Sequence, residues 1–181
     1  MKRSFLMIVV GSIVAFFCAG SLSAAIYNPA TDHYYELVSG LGDWSLAENS
    51  AIALGGHLVT INDQAEQTWL MSNFGTERYW IGFTDSQTEG TWVWTSGEPV
   101  TYTNWGPGEP NDDWQPTGED YAAMNWRTDT GSWNDFGPAS DDISTVKGGI
   151  AEIANVPIPG AIWFLGSGLI GIVGIRRKIK K

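Results

Sequence analysis

Between Phe74 and Asn155 the sequence has no helical periodicity. What recurs there is a set of short aromatic or apolar runs: YWIGF at 79–83, TWVWT at 91–95, YAAMNW at 121–126 and GGIAEI at 148–153. Loops containing Gly, Pro and Asp separate them, so each reads as a short strand between turns. Helical spacing is confined to the part before Phe74. Ala47, Ala51 and Leu54 recur at helical intervals in a segment starting at Trp44, and Gly55-Gly56 ends it. Asn62 or Asp63 can cap a second helix, with Asp63 and Glu66 at capping-box spacing and an end near Phe74. HYYELVSG, from His33, predicts a first strand, and HLVTI, from His57, a buried one. Two early helices followed by short strands and a long irregular region predict a small α+β domain.

Charge divides the chain into three parts. Seven of its ten basic residues lie at the ends, Lys2, Arg3, Arg176, Arg177, Lys178, Lys180 and Lys181, which leaves 3 − 20 = −17 in between. So acidic a middle argues against nucleic acid as a partner, since that binding rests on phosphate neutralisation by Lys and Arg. Residues 1–25 have a basic start, an apolar run from Phe5 and a small-residue site at Ser23-Ala24-Ala25, the pattern of a secretory signal peptide. The alternative is an uncleaved anchor. The sole cysteine, Cys18, lies in this segment, so the exported chain is expected to be disulfide-free. Residues 156–181 carry two prolines, a Gly-rich apolar run and a basic tail. As a helix, Val156 to Ile175 would span about 30 Å, one hydrocarbon core. This end resembles the C-terminal sorting signals processed by bacterial exosortases (PEP-CTERM-like), with Val156, Pro157 and Pro159 as the motif and Ile158 where Glu is commonest. A permanent tail anchor is the alternative. Either way a membrane and, for the sorting signal, an exosortase-type enzyme are expected partners. The expected location is the envelope or extracellular matrix of a Gram-negative-type bacterium.

The middle, 26–155, carries motifs in a recognisable order: Trp44, Gly55-Gly56-His57-Leu58, WIGF at 80–83, TWVW at 91–94, Asn104-Trp105, Glu109-Pro110-Asn111, Gly118-Glu119-Asp120 and Trp133-Asn134-Asp135. Their order and spacing resemble the C-type lectin-like domain. The resemblance implies a double-looped domain with two helices and short antiparallel sheets. It departs at Ala51, Tyr121, Pro138 and Ala151, which stand where the family pattern has cysteines. Two missing disulfides would cost roughly 2–4 kcal/mol each, so Trp-rich packing or bound calcium is expected to hold the long loop instead.

Glu109 to Asp120 holds five carboxylates and no basic residue. At about 4 Å and an effective dielectric of 20, each pair repels by about 4 kcal/mol, so the loop needs a cation or full solvation. Calcium takes six to eight oxygen ligands. By resemblance the primary calcium set is Glu109, Asn111, Glu119, Asn134 and Asp135, with Pro110 cis. The same set, with Trp114, would bind carbohydrate, the order Glu-Pro-Asn resembling the mannose type (mannose-, GlcNAc- or fucose-like glycans or polysaccharide). Trp114 is a feature more usual in galactose binders. Asp85, Glu89, Asp112 and Asp120, together with Glu119, match an auxiliary calcium site in relatives, against the plainer reading of a hydrophilic turn. Trp80, Trp92, Trp94 and Trp105 are expected to pack, leaving Trp114 and Trp126 as candidate contacts.

His33 and His57 have no neighbouring His or Cys in the sequence, which argues against zinc. No Ser-His-Asp set, reactive cysteine or phosphate-cradling glycine loop is present to support an enzyme. The sequence therefore predicts an exported calcium-dependent lectin module. The alternative is a calcium-stiffened adhesive matrix protein that binds a protein partner.

Overall fold

The computed structural model describes residues 24–113, 117–126, 131–137 and 142–155. Most of the expected signal peptide, the sorting motif Val156-Pro157-Pro159 with its apolar segment, Trp114 and Pro138 lie outside the described residues. Among those described, no helix is long and apolar enough to cross a membrane.

The chain runs β1 (Ile26–Asn28), β2 (His33–Val38), α1 (Trp44–Ala53), β3 (His57–Leu58), α2 (Gln64–Phe74), β4 (Arg78–Thr84), β5 (Val93–Trp94), β6 (Tyr121–Met124), β7 (Asn134–Phe136), a 3-10 turn (Ile143–Thr145) and β8 (Val146–Ala154). All strands belong to one sheet in the order β1-β2-β8-β4-β6-β7, with β3 added to β8 and β5 to β4. The expected α+β class holds. Among the described residues the strand ladders are antiparallel except that of β4 and β8, which run parallel, pairing Arg78 with Val146 and Trp80 with Gly149. A parallel pair needs a long crossover, here the whole irregular region, and short-range turn signals do not reveal such a pairing.

Both helices start and stop where local chemistry directs. Asp43 accepts the Leu46 N–H at 2.9 Å, and Gly55, at φ 89°, carries the chain out of α1. Asp63 caps α2 by accepting from Glu66 N at 2.8 Å. The reciprocal half of the expected capping box is displaced by one residue. Glu66 Oε2 accepts from Asn62 N at 2.9 Å, and Oε1 is drawn to the Tyr35 hydroxyl at 2.8 Å. HLVTI supplies only a two-residue strand, although Val59 and Ile61 are fully buried.

Two buried clusters form the core. One gathers Phe83, Trp94 and Trp133 with Tyr35, Ile81 and Leu70, and Trp92 and Trp105 pack against it. The other places Ala51 and Ala151, both fully buried, beside Leu58, Trp80 and Phe136. At two of the positions where the family pattern has cysteine, small buried alanines thus sit in the cluster where α1 packs on β8. At a third, Tyr121 stacks on Trp44 with ring centroids 4.6 Å apart.

Candidate functional site

β7 delivers Asn134 and Asp135 against the acidic loop because its register on β6 sets Ala123 opposite Asn134 and Ala122 opposite Asp135. Asp135 is the organiser. Its Oδ2 accepts from the backbone N–H of both Asn111 and Asp112, each at 3.0 Å, fastening the loop across more than twenty positions of sequence. The Glu109–Pro110 bond is cis, as expected. Asp113 N donates to Asn111 Oδ1 at 2.9 Å and to Glu119 Oε2 at 3.2 Å, and Glu119 N donates to Asp112 Oδ1 at 2.9 Å. Glu109, Asn111, Glu119 and Asp135 are therefore brought into one cluster. Asn134 joins it through its neighbour, with Nδ2 donating to the Asp135 carbonyl at 2.7 Å.

Three oxygens here are buried yet receive no hydrogen bond from an N–H group or a hydroxyl: Glu109 Oε2, Asn134 Oδ1 and Asp135 Oδ1, where the one available O–H would be that of a protonated Glu109 facing Asp135. Leaving such groups without partners costs about 1–3 kcal/mol each, more when charged. Burial, followed by the charges of Asp135 and Glu119, pushes the Glu109 carboxyl up to about 7. Burial also raises Asp135, against the opposing pull of the backbone N–H groups it accepts.

The second acidic set is drawn together as well. Asp85 is buried, its Oδ2 accepts from Gly90 N at 2.9 Å, and its Oδ1 has no donor. Glu89 is raised first by Asp85, then by desolvation and by Asp112 and Asp120. Burial, with Asp85 and Asp112, raises Asp120. Gly118, at φ 70°, lies among these groups: a methyl there would sit 3.1 Å from Asp112 Oδ1 and 3.4 Å from Asp120 Oδ1. Gly137 crosses Gly118 so closely that any side chain would meet the Gly118 carbonyl oxygen. Sequence reasoning missed this crossing and the bridging N–H of Asp113. The glycine directly after Asn134-Asp135-Phe136 is the signal that could have pointed to the first.

The donor set fits a hard divalent cation in kind, with carboxylates, Asn carbonyls and undonated oxygens and no sulfur or imidazole. Among the described residues no three His, Cys, Asp or Glu form a ready-made metal cage. Asn side chains and the loop's approach would have to complete a shell.

Trp126, half-buried, has structural partners: its ring meets Phe136 edge-on at 6.0 Å and is covered by the Arg78 guanidinium at 4.5 Å. His57 is a structural residue, as expected: its Nδ1 lies 2.7 Å from Glu48 Oε1, while Glu48 Oε2 accepts from Leu58 N.

The family model described as Lectin C-type domain matches residues 43–141, across the helices, the acidic loop and β7. The chain belongs to the C-type lectin domain family. Over 101 residues it is 42% identical to the mouse low affinity immunoglobulin epsilon Fc receptor, covering 56% of this chain and 29% of the receptor. It spans less than two thirds of the length of the curated relatives it matches. Among solved structures, the cow C-type carbohydrate-recognition domain of CD23, determined in the presence of a GlcNAc2Man3 oligosaccharide, superposes with a TM-score of 0.63 at 31% identity. That match covers 74% of this chain and 95% of the domain. A calcium-independent type II antifreeze protein shares the fold at a TM-score of 0.59 and 26% identity, covering 74% of this chain and 98% of the other. The C-type lectin fold thus accommodates both a carbohydrate-recognition domain and a calcium-independent protein, and the site's own residues must decide between such uses.

Proposed function

We propose that this protein is a calcium-dependent carbohydrate-binding module rather than an enzyme. The observation that carries the reading is the set of buried oxygens on Glu109, Asn134 and Asp135 that no N–H group or hydroxyl reaches. Glu109, Asn111, Glu119, Asn134 and Asp135 would hold Ca2+, which supplies the positive charge that lets these carboxylates ionise together and draws sugar hydroxyl oxygens to the site. The chain's part is recognition. Carboxylate oxygens accept from vicinal hydroxyls, and the amide N–H groups of Asn111 and Asn134 donate to them. The second N–H of Asn134 Nδ2 remains for this role, the first being committed to the Asp135 carbonyl. Glu109 before Asn111 supports mannose-type sugars with equatorial hydroxyls, with Trp114 beside the motif as a stacking candidate. Asp85, Glu89, Asp112 and Asp120, with Glu119, are proposed to take a second, loop-stabilising ion.

Export by the 1–25 signal and sorting through Val156, Pro157 and Pro159 by an exosortase-type enzyme would set the module on the envelope or in extracellular polysaccharide. Mass spectrometry of the mature ends checks this part: Ile26 is expected at the N-terminus, and an intact tail would replace sorting by anchoring.

The deciding experiment is a glycan array probed with the protein in millimolar calcium and in chelator. Calcium-dependent binding to mannose-like glycans that is abolished by Asn134→Ala is expected, and equal binding in chelator sinks the proposal. A second reading draws on the loop's own hydrogen bonds, which fasten it without a sugar: an adhesive protein in which calcium only stiffens the loop. In that case chelation lowers the Tm while no glycan binds.

A further inference from the structure

A cavity of about 460 Å³ opens between the turn joining β1 to β2 and the first turns of α2, sharing no residue with the acidic loop. Its size falls within the roughly 300–1,000 Å³ of small-molecule sites. Trp69, half-buried, forms one wall, and its ring is held from behind by Tyr35 at 5.0 Å and by Phe74 at 6.3 Å. Glu66, only 4% exposed, lines it with Asp63, Asn28, Thr31 and Asn62.

The polar groups offered here are mainly acceptors. Glu66 is fixed by the Tyr35 hydroxyl and Asn62 N, yet each carboxylate oxygen keeps a further lone pair. Asn28 Oδ1 is taken by Ala30 N, and Asn62 Nδ2 is turned to Glu98 Oε2 at 2.9 Å. Glu152 stands behind the cavity, its Oε1 2.9 Å from the same Tyr35 hydroxyl and 2.7 Å from His33 Nδ1. Among the described residues the only Lys and Arg are Lys147 and Arg78, and neither lines the cavity. Arg78 is engaged with Asp142 at 2.7 Å.

An aromatic wall facing two lining carboxylates, Asp63 and Glu66, with no Lys or Arg beside them is the environment that recognises an alkylammonium group, through charge, N–H donation and cation–π attraction together. An anion would be repelled, and a neutral polyol would meet few donors. We propose that this cavity binds the ammonium group of a small organic amine, with Glu66 and Asp63 as counter-charges and the Trp69 ring as the apolar wall. The site is separate from the carbohydrate reading and calls for no calcium.

The test is an NMR titration of the protein at pH 8, above the Glu66 carboxyl's raised value of about 7, in chelator, with n-butylammonium chloride and, in parallel, n-butanol, which has the same stem without the charge. The indole N–H resonance of Trp69, assigned by its loss in Trp69→Phe, is followed. Saturable shifts with butylammonium, at least about tenfold weaker with butanol, are expected, tenfold being about 1.4 kcal/mol. Glu66→Gln should weaken amine binding by a similar factor while retaining the shape of the carboxyl. If that variant does not fold, Trp69→Leu serves, with the amine's affinity read calorimetrically. Equal shifts with butanol, unsaturable shifts with the amine, or wild-type affinity in the folded variant would each overturn the proposal. Working without calcium keeps the outcome independent of whether the protein is a lectin.

Discussion

Asp135 Oδ2 and the backbone N–H of Asn111 meet at 3.0 Å, and this contact ties β7 to the acidic loop. The same oxygen also serves Asp112 N. Two N–H groups on one carboxylate make Asp135 a structural clamp as well as a candidate ligand. Asp135→Ala should therefore destabilise the domain by about 3 kcal/mol even in chelator, the lower end for two hydrogen bonds to a charged group at about 1.5–3 each. Urea unfolding measures the loss, and hydrogen exchange should quicken first at the amides of Asn111 and Asp112. Unchanged exchange there would show that the clamp is not formed in solution.

The crossing of Gly137 over Gly118 leaves no room for a Cβ. Gly137→Ala is expected to cost about 1–3 kcal/mol, the usual range for overpacking, and to displace the loop carrying Glu119. A thermal melt equal to wild type would rule this out.

Ala51 and Ala151 are fully buried in one cluster, where α1 packs on β8. The double replacement Ala51→Cys, Ala151→Cys should oxidise to a disulfide and stabilise the fold by roughly 2–4 kcal/mol. Thiol titration and paired melts with and without reductant check it; free thiols under air would count against the placement.

Burial pushes the Glu66 carboxyl up to about 7, against the opposing hydrogen bonds from Asn62 and Tyr35. The folded state thus binds a proton between about 4.5 and 7 that the unfolded state has released. Stability from this group is greatest below about 4.5, falls as pH rises to about 7 and then levels. In chelator, the difference in unfolding free energy between wild type and Glu66→Gln should follow that curve. A difference independent of pH would mean that Glu66 stays ionised in the fold.

Much of the frame was legible because it is local. Asp43 and Asp63 each lie just ahead of a helical pattern, and Gly55 and Gly75 stop the helices through positive φ. The WIGF, YAAM and GGIAEI runs became β4, β6 and β8 as their apolar, strand-forming composition and the turn residues between them require. Less legible was what lies between elements. Glu66 left the expected capping partner because the Tyr35 hydroxyl and Asn62 N compete for its oxygens. Trp126 finds packing partners in Phe136 and Arg78, both distant in sequence. Neither arrangement has a signature at short sequence range.

The sequence by itself determined the ingredients: the two helices, the strand-forming runs, the acidic donor types of Glu109, Asn111, Glu119, Asn134 and Asp135, and the family motif order that groups them. Only the tertiary structure decided which atoms meet. The β6–β7 register sets Asp135 under the loop, and β4 lies parallel to β8. Ala51 lies with Ala151, and Glu66 and Trp69 line one cavity. Helix caps and turns are fixed by neighbours a few residues apart. Strand register and loop closure are fixed by contacts between distant residues, whose partners are chosen by burial of the whole core.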